Sequence, residues 1–94
     1  MSKYQITPYT LRRARELGVR VTPSHLPQYK LDVYDKKGKL LTHCGATGYS
    51  DYPTYMREQG QAVARERRRL YKIRHERDRH KVGSRGWWAD QLLW

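Results

Sequence analysis

The stretch YKLDVYDKKGKLLTHCG, residues 29–45, decides the fold class. Tyr29, Leu31 and Val33 alternate with Lys30, Asp32 and Tyr34. That period of two sends successive side chains to opposite faces of a strand. Asp35–Gly38 then turns the chain, with Gly38 where a positive φ is needed, and KLLTHC returns. A β-hairpin is predicted over 29–44. A lone hairpin is only marginally stable, so something must cover one of its faces, and the helix that follows is the obvious cover. The expected class is α+β.

Upstream, ITPYTLRRARELGV reads as a short helix with both ends marked. Thr7 is the N-cap, Pro8 takes the first helical position and Gly18 supplies the stop. Ile6 and Leu11 are placed as a hydrophobic staple, and Leu11, Ala14 and Leu17 form a narrow apolar stripe. VRVTPSHLPQ, residues 19–28, carries two prolines and reads as an extended connector. The organisation expected is a helix and connector over 1–28, then a small α+β unit over 29–94.

Downstream, Gly45 and Gly48 mark tight backbone, and Asp51 followed by Pro53 reads as a helix start. One long helix is predicted from about 53 to 80, KVGSRG breaks it, and in the aromatic tail over 81–94 WWADQLLW reads as a last short helix or turn. At 100° per residue, Met56, Val63 and Leu70 fall within about 40° of one another, and Tyr55, Ala64, Tyr71 and Ile73 widen that apolar arc. Opposite lie Arg57, Arg65, Arg68, Lys72, His75 and Arg79, within about 80°. The last five follow a three-then-four spacing and form one ridge of positive charge. Arg67, Arg74 and Arg77 intrude on the apolar side, so this half of the helix is basic nearly all round. Three readings of the ridge stay open: phosphate contact, contact with an acidic protein surface, and plain solvation.

Composition bounds the rest. Ninety-four residues make at most one domain plus tails. With 37% hydrophobic residues, no Phe and eleven Tyr or Trp, aromatic rings must supply much of the core. Twenty basic residues against nine acidic ones give a net charge of +11. Such a field attracts polyanions and acidic surfaces but does not set the fold. No apolar run approaches the roughly 20 residues of a membrane span. MSKYQITPYT lacks the apolar centre of a secretory signal. The single Cys44 excludes an internal disulfide and fits a reducing, intracellular site of synthesis.

No catalytic constellation is legible, and no small-molecule substrate, cofactor or metal is expected. Cys44 beside His43 is half a metal site at most, because no C-x-x-C or H-x-x-x-H accompanies it. GATG lacks the Gly-Lys-Ser/Thr ending of a phosphate loop. Trp87, Trp88 and Trp94 are read as core or as a partner's docking surface, with base stacking as the further alternative.

The segments LGVRVTPS, YKLDVYDKKGKLL, GATGYSDYPTY, RRRLYKIRHERD and KVGSRGWWADQLLW together resemble a family of small basic proteins of large nucleocytoplasmic DNA viruses. The family pattern is a Lys-rich strand, a G-x-x-G-Y-x-D-Y turn, an R-R-x-L-Y-x-x-R-H helix and an ending close to A-D-x-L-L-W. Gly45, Gly48, Tyr49, Asp51, Tyr52, Arg68, Arg69, Leu70, Tyr71, Arg74, His75, Ala89, Asp90 and Trp94 sit where it puts them. Trp87–Trp88 departs from it, since smaller aromatics stand there. The resemblance covers residues 17–94 and implies a non-enzymatic product, made in the host cytoplasm and carried in the virion. Two roles follow. One is a minor capsid or cementing protein, docked on other virion proteins through its aromatic end and basic helix. The other is a basic protein making non-specific phosphate contacts with viral double-stranded DNA.

Overall fold

The computed structural model describes residues 4–94, so the first three residues of the stretch read above for a signal lie outside it. Its elements are α1 (Pro8–Leu17), β1 (Arg20–Pro23), β2 (Tyr29–Tyr34), β3 (Leu40–Ala46), α2 (Tyr52–Gln59), α3 (Gln61–Arg74) and α4 (Arg85–Leu93). The class is α+β, built on an antiparallel sheet of order β1-β2-β3.

The hairpin forms where its period and turn place it. Asp35 Oδ1 accepts from the backbone N–H of Lys37 and Lys39, both at 2.9 Å, closing the turn. The connector departs from expectation: residues 20–23 pair with β2, Val21 opposite Val33 and Pro23 opposite Leu31, so the hairpin gains a third strand. Four residues ending in proline are too short for a periodic signal, and proline is tolerated there because β1 is an edge. Covered on both flanks, β2 buries Lys30 and Asp32 as well as Leu31 and Val33.

The single helix over 53–80 is corrected twice. Gly60, at φ 90° and ψ 171°, breaks it. Gly60 N–H donates to Met56 O at 3.3 Å and its carbonyl accepts from Ala64 N–H at 3.0 Å, so one residue ends α2 and starts α3. Only glycine holds that backbone without strain. The second correction is at the other end: α3 stops at Arg74, and 75–80 continue as turns. After residue 74 the helix has no apolar face to bury, and Arg79 Nε caps it by donating to Lys72 O at 3.3 Å. Within the 81–94 tail the expected short helix forms as α4, with Ser84 Oγ accepting from Trp87 N–H at 3.1 Å as its N-cap.

Leu31, Val33 and Cys44 of the sheet meet Ala14, Tyr71, Trp88, Leu92, Leu93 and Trp94 in one core. The Trp94 and Tyr71 rings lie parallel with centroids 4.3 Å apart. Helix α1 turns Thr10 and Ala14 inward, whereas Leu11, expected in the apolar stripe, is exposed. Thr10 Oγ1 donates to Leu92 O at 2.8 Å and Arg13 Nε to Gln91 O at 3.0 Å, so α1 satisfies carbonyls at the open end of α4. Gly45, at φ 81°, lets α4 approach β3: a Cβ there would stand 2.6 Å from a Leu93 methyl.

Asp51 knots three segments together. It is fully buried, caps α2 through Thr54 N–H at 3.0 Å, and accepts from Tyr4 Oη at 2.6 Å and Lys30 Nζ at 3.0 Å. Burial raises its carboxyl pKa, but the Lys30 ammonium and the hydrogen bonds from Thr54 and Tyr4 outweigh that and hold it below its ordinary value. A carboxylate lowered on folding contributes stability that is complete above its unfolded pKa of about 3.9 and is lost as pH falls through the folded value. Lys30→Met, which leaves the carboxylate buried without its cation, is expected to cost about 3–5 kcal/mol. The urea midpoint at neutral pH measures this, and a wild-type midpoint would refute it. Asp51→Asn should also flatten the decline in stability as the pH falls below about 4.

Candidate nucleic-acid interface

The break at Gly60 and the end of α3 at Arg74 change which cations share a surface. Of the ridge, Arg57 stays behind on α2, where it faces Glu58 at 3.6 Å. Lys72 is bonded to Asp90 of α4, Arg79 to Glu76 at 2.9 Å, and His75 lies 3.7 Å from Asp78 with its ring stacked on Tyr71. Arg68 covers the Tyr52 ring at 4.5 Å, and Arg65 alone is exposed without a partner among the described residues. The straight ridge is therefore not the open charged surface of the molecule. Arg68 is held against α2, Lys72 against α4, and His75 and Arg79 within the 75–80 turns.

A second group of open cations lies on the other side of α3. Between α3, the turns after it, the start of α4 and the β3–α2 loop is a cleft of about 920 Å³. Arg67, Arg74, Arg77, Lys81 and Arg85 line it, and Asp78 is its one acidic lining residue among the described residues. None of these five cations makes an ion pair among the described residues. Arg67 lies over the Tyr55 ring at 5.5 Å, and Arg85 lies over Tyr29 at 4.8 Å while donating to His43 O at 2.9 Å. Arg74, Arg77 and Lys81 are engaged by no side-chain hydrogen bond among the described residues. By contrast the outward-facing Arg69 is closed by a two-pronged contact with Glu66.

The walls of the cleft are aromatic and apolar. Tyr49 is 75% exposed, Leu70 is 40% exposed, and Tyr55 is partly covered, with Tyr71 and Trp94 behind them in the core. The two glycines of the turn, Gly45 and Gly48, carry the loop that presents Tyr49, and Asp51 with Pro53 starts α2 beside it. Trp88 and Trp94 are buried core residues, and Trp87 is half-buried with its ring edge-on to Trp88. The cleft cations Arg67, Arg74 and Arg77 are the ones whose position on the apolar arc looked anomalous in the helical projection. That intrusion was the available signal. Lys81 and Arg85, in a segment broken by glycine, gave none.

On the opposite side of the sheet, His25, Asp32 and His43 come together, a grouping that neither spacing nor motif announced. Asp32 is buried and accepts from His25 Nδ1 and His43 Nδ1, each at 2.6 Å, and from Ser24 Oγ at 2.5 Å. Cys44 points the other way, into the core, and takes no part in this cluster. No helix among the described residues is long and apolar enough to cross a membrane. No protein-family model, curated protein or solved structure matches the chain.

Burial pushes the Cys44 thiol up to about 12, which leaves it protonated near neutrality and unfit as a nucleophile. Cys44 is expected to resist a thiol-reactive probe at pH 8 in the native protein and to react fully in denaturant. Rapid native labelling would contradict the burial.

Proposed function

We propose that this is a non-enzymatic, virion-associated protein that binds nucleic acid through the cleft beside α3, without sequence specificity. The virion context rests on the resemblance to the viral family. The binding mode rests on the cleft. The observation that carries it is the partition of charge: the outer Arg69 and Arg79 are closed by glutamates, while Arg74, Arg77 and Lys81 stand open around one concave surface. Open cations cost nothing to recruit, because no internal ion pair must be broken before a phosphate is met. Each contact releases counterions from the backbone.

The aromatic wall favours nucleic acid over an acidic protein surface. Cations beside an exposed Tyr49 match a strand whose phosphates and base faces alternate. A concave site of about 920 Å³ suits two or three unpaired nucleotides better than the convex face of a duplex. The capsid-cementing role has less support. It relied on the aromatic end as an anchor, and Trp88 and Trp94 are occupied in the core. Arg and Lys without an amide side chain on the cleft fit backbone contact rather than base reading.

Fluorescence anisotropy of a labelled 20-nucleotide strand and a matching duplex, across a salt series, tests this. Four or five phosphate contacts predict a single-strand slope of about −3 in log affinity against log salt. Arg74→Gln with Arg77→Gln and Lys81→Gln should reduce that slope by about 2. Arg69→Gln with Arg79→Gln should leave it unchanged. Tyr49→Ala should weaken strand binding by about 1–3 kcal/mol and duplex binding little. Wild-type affinity in the cleft triple variant would overturn the assignment of the site. No binding to either nucleic acid at low salt would overturn the function itself.

A further inference from the structure

We infer that His25, Asp32 and His43 form a site for a divalent transition metal of the zinc type. Three separate segments deliver the donors: His25 from the β1–β2 loop, Asp32 from the central strand and His43 from β3. Two of the chain's four histidines thus converge on one buried carboxylate. Their ligating atoms lie within 4.8 Å of one another. Two imidazole nitrogens and one carboxylate oxygen are a donor set that zinc accepts, with a fourth position left to water or another ligand.

The donors are held in place. Ser24 Oγ donates to Asp32 Oδ1, Leu26 N–H donates to Ser24 Oγ at 3.1 Å, and His25 N–H donates to Asp32 Oδ2 at 3.3 Å. The His43 ring is stacked on Tyr29 at 5.6 Å and meets the edge of the His25 ring at 5.3 Å. Supporting contacts of this kind orient ligands around a metal. Access is open, because the His25 side chain is 62% exposed while that of Asp32 is 1% exposed.

The metal-free alternative uses the same atoms as hydrogen bonds from two imidazoles to one carboxylate. The 2.6 Å separations are hydrogen-bond lengths. Bonds of about 2.0–2.1 Å in a tetrahedral site place donors roughly 3.4 Å apart, so binding must open the cluster by somewhat under 1 Å. The exposed His25 is the ligand free to make that movement. What distinguishes the two states is function: a hydrogen-bonded carboxylate needs no imidazole standing mostly in solvent, whereas a metal site needs a ligand at its mouth. Bound there, the ion would tie the β1–β2 loop and β3 to the central strand. It is a clamp on the sheet.

The test uses the full chain stripped with a chelator and titrated with zinc chloride by calorimetry, with thermal unfolding followed in parallel. One equivalent of zinc should bind and raise the unfolding midpoint. His25→Ala, at an exposed loop position that leaves the core intact, should weaken binding at least about 10-fold and abolish the rise. His43→Gln should do the same. His80→Ala, whose ring is hydrogen-bonded to Glu76 away from this cluster, should behave as wild type. Cobalt in place of zinc should show the visible absorption of a tetrahedral site. Absence of zinc binding, or binding undiminished in His25→Ala, would overturn the site. Nucleic acid enters no part of this test, so its result stands apart from the role of the cleft.

Discussion

The buried ion pair between Lys30 and Asp51 is the constraint on which the arrangement depends. A charged lysine inside the central strand is tolerable only with a carboxylate aimed at it, and Asp51 is held there by capping α2. The direction in which α2 leaves the sheet is therefore tied to the strand itself. Gly60 then reverses the backbone within one residue, and α3 follows with its Tyr71 face towards the core. Breaking the pair would release the start of α2, and with it the wall of the cleft that carries Tyr49 and Tyr55.

The core shows how a small, basic chain holds together with few aliphatic residues. Trp94 against Tyr71 and Trp88 against Trp87 supply large areas of ring contact, while Leu92 and Leu93 fill the space above the sheet. Among the described residues every buried side-chain polar atom is partnered, so the thin core carries no desolvation penalty from unmatched side chains there. Using the aromatic end internally has a functional consequence. The surface left for binding is the charged and partly aromatic cleft, which attracts an anionic ligand more strongly than an apolar one.

Much of the local structure was legible in the residues. The Thr7–Pro8 start and Gly18 stop of α1, the Asp35–Gly38 turn and the Asp51–Pro53 start of α2 all rest on side chains acting on backbone groups within a few positions. Such chemistry is local and can be read from order alone. The 53–80 helix was overextended because a periodic projection treats Gly60 as one weak residue, whereas the backbone uses it as a joint. β1 was missed because four residues carry no period, and it exists only because β2 is there to pair with it. Leu11 was placed inward because the projection of α1 cannot tell which face α4 will cover.

By itself, the sequence determined the α+β class, both ends of α1, the start of α2, the hairpin turn and the excess of positive charge, since each follows from neighbouring residues or from totals. The tertiary structure alone decided which of that charge is open and which is spent. Lys72 and Asp90 are eighteen positions apart, and so are His25 and His43. Whether such groups meet depends on how the helices cross the sheet. Coulombic and hydrogen-bonding partners are chosen by distance in space, which no spacing along the chain encodes.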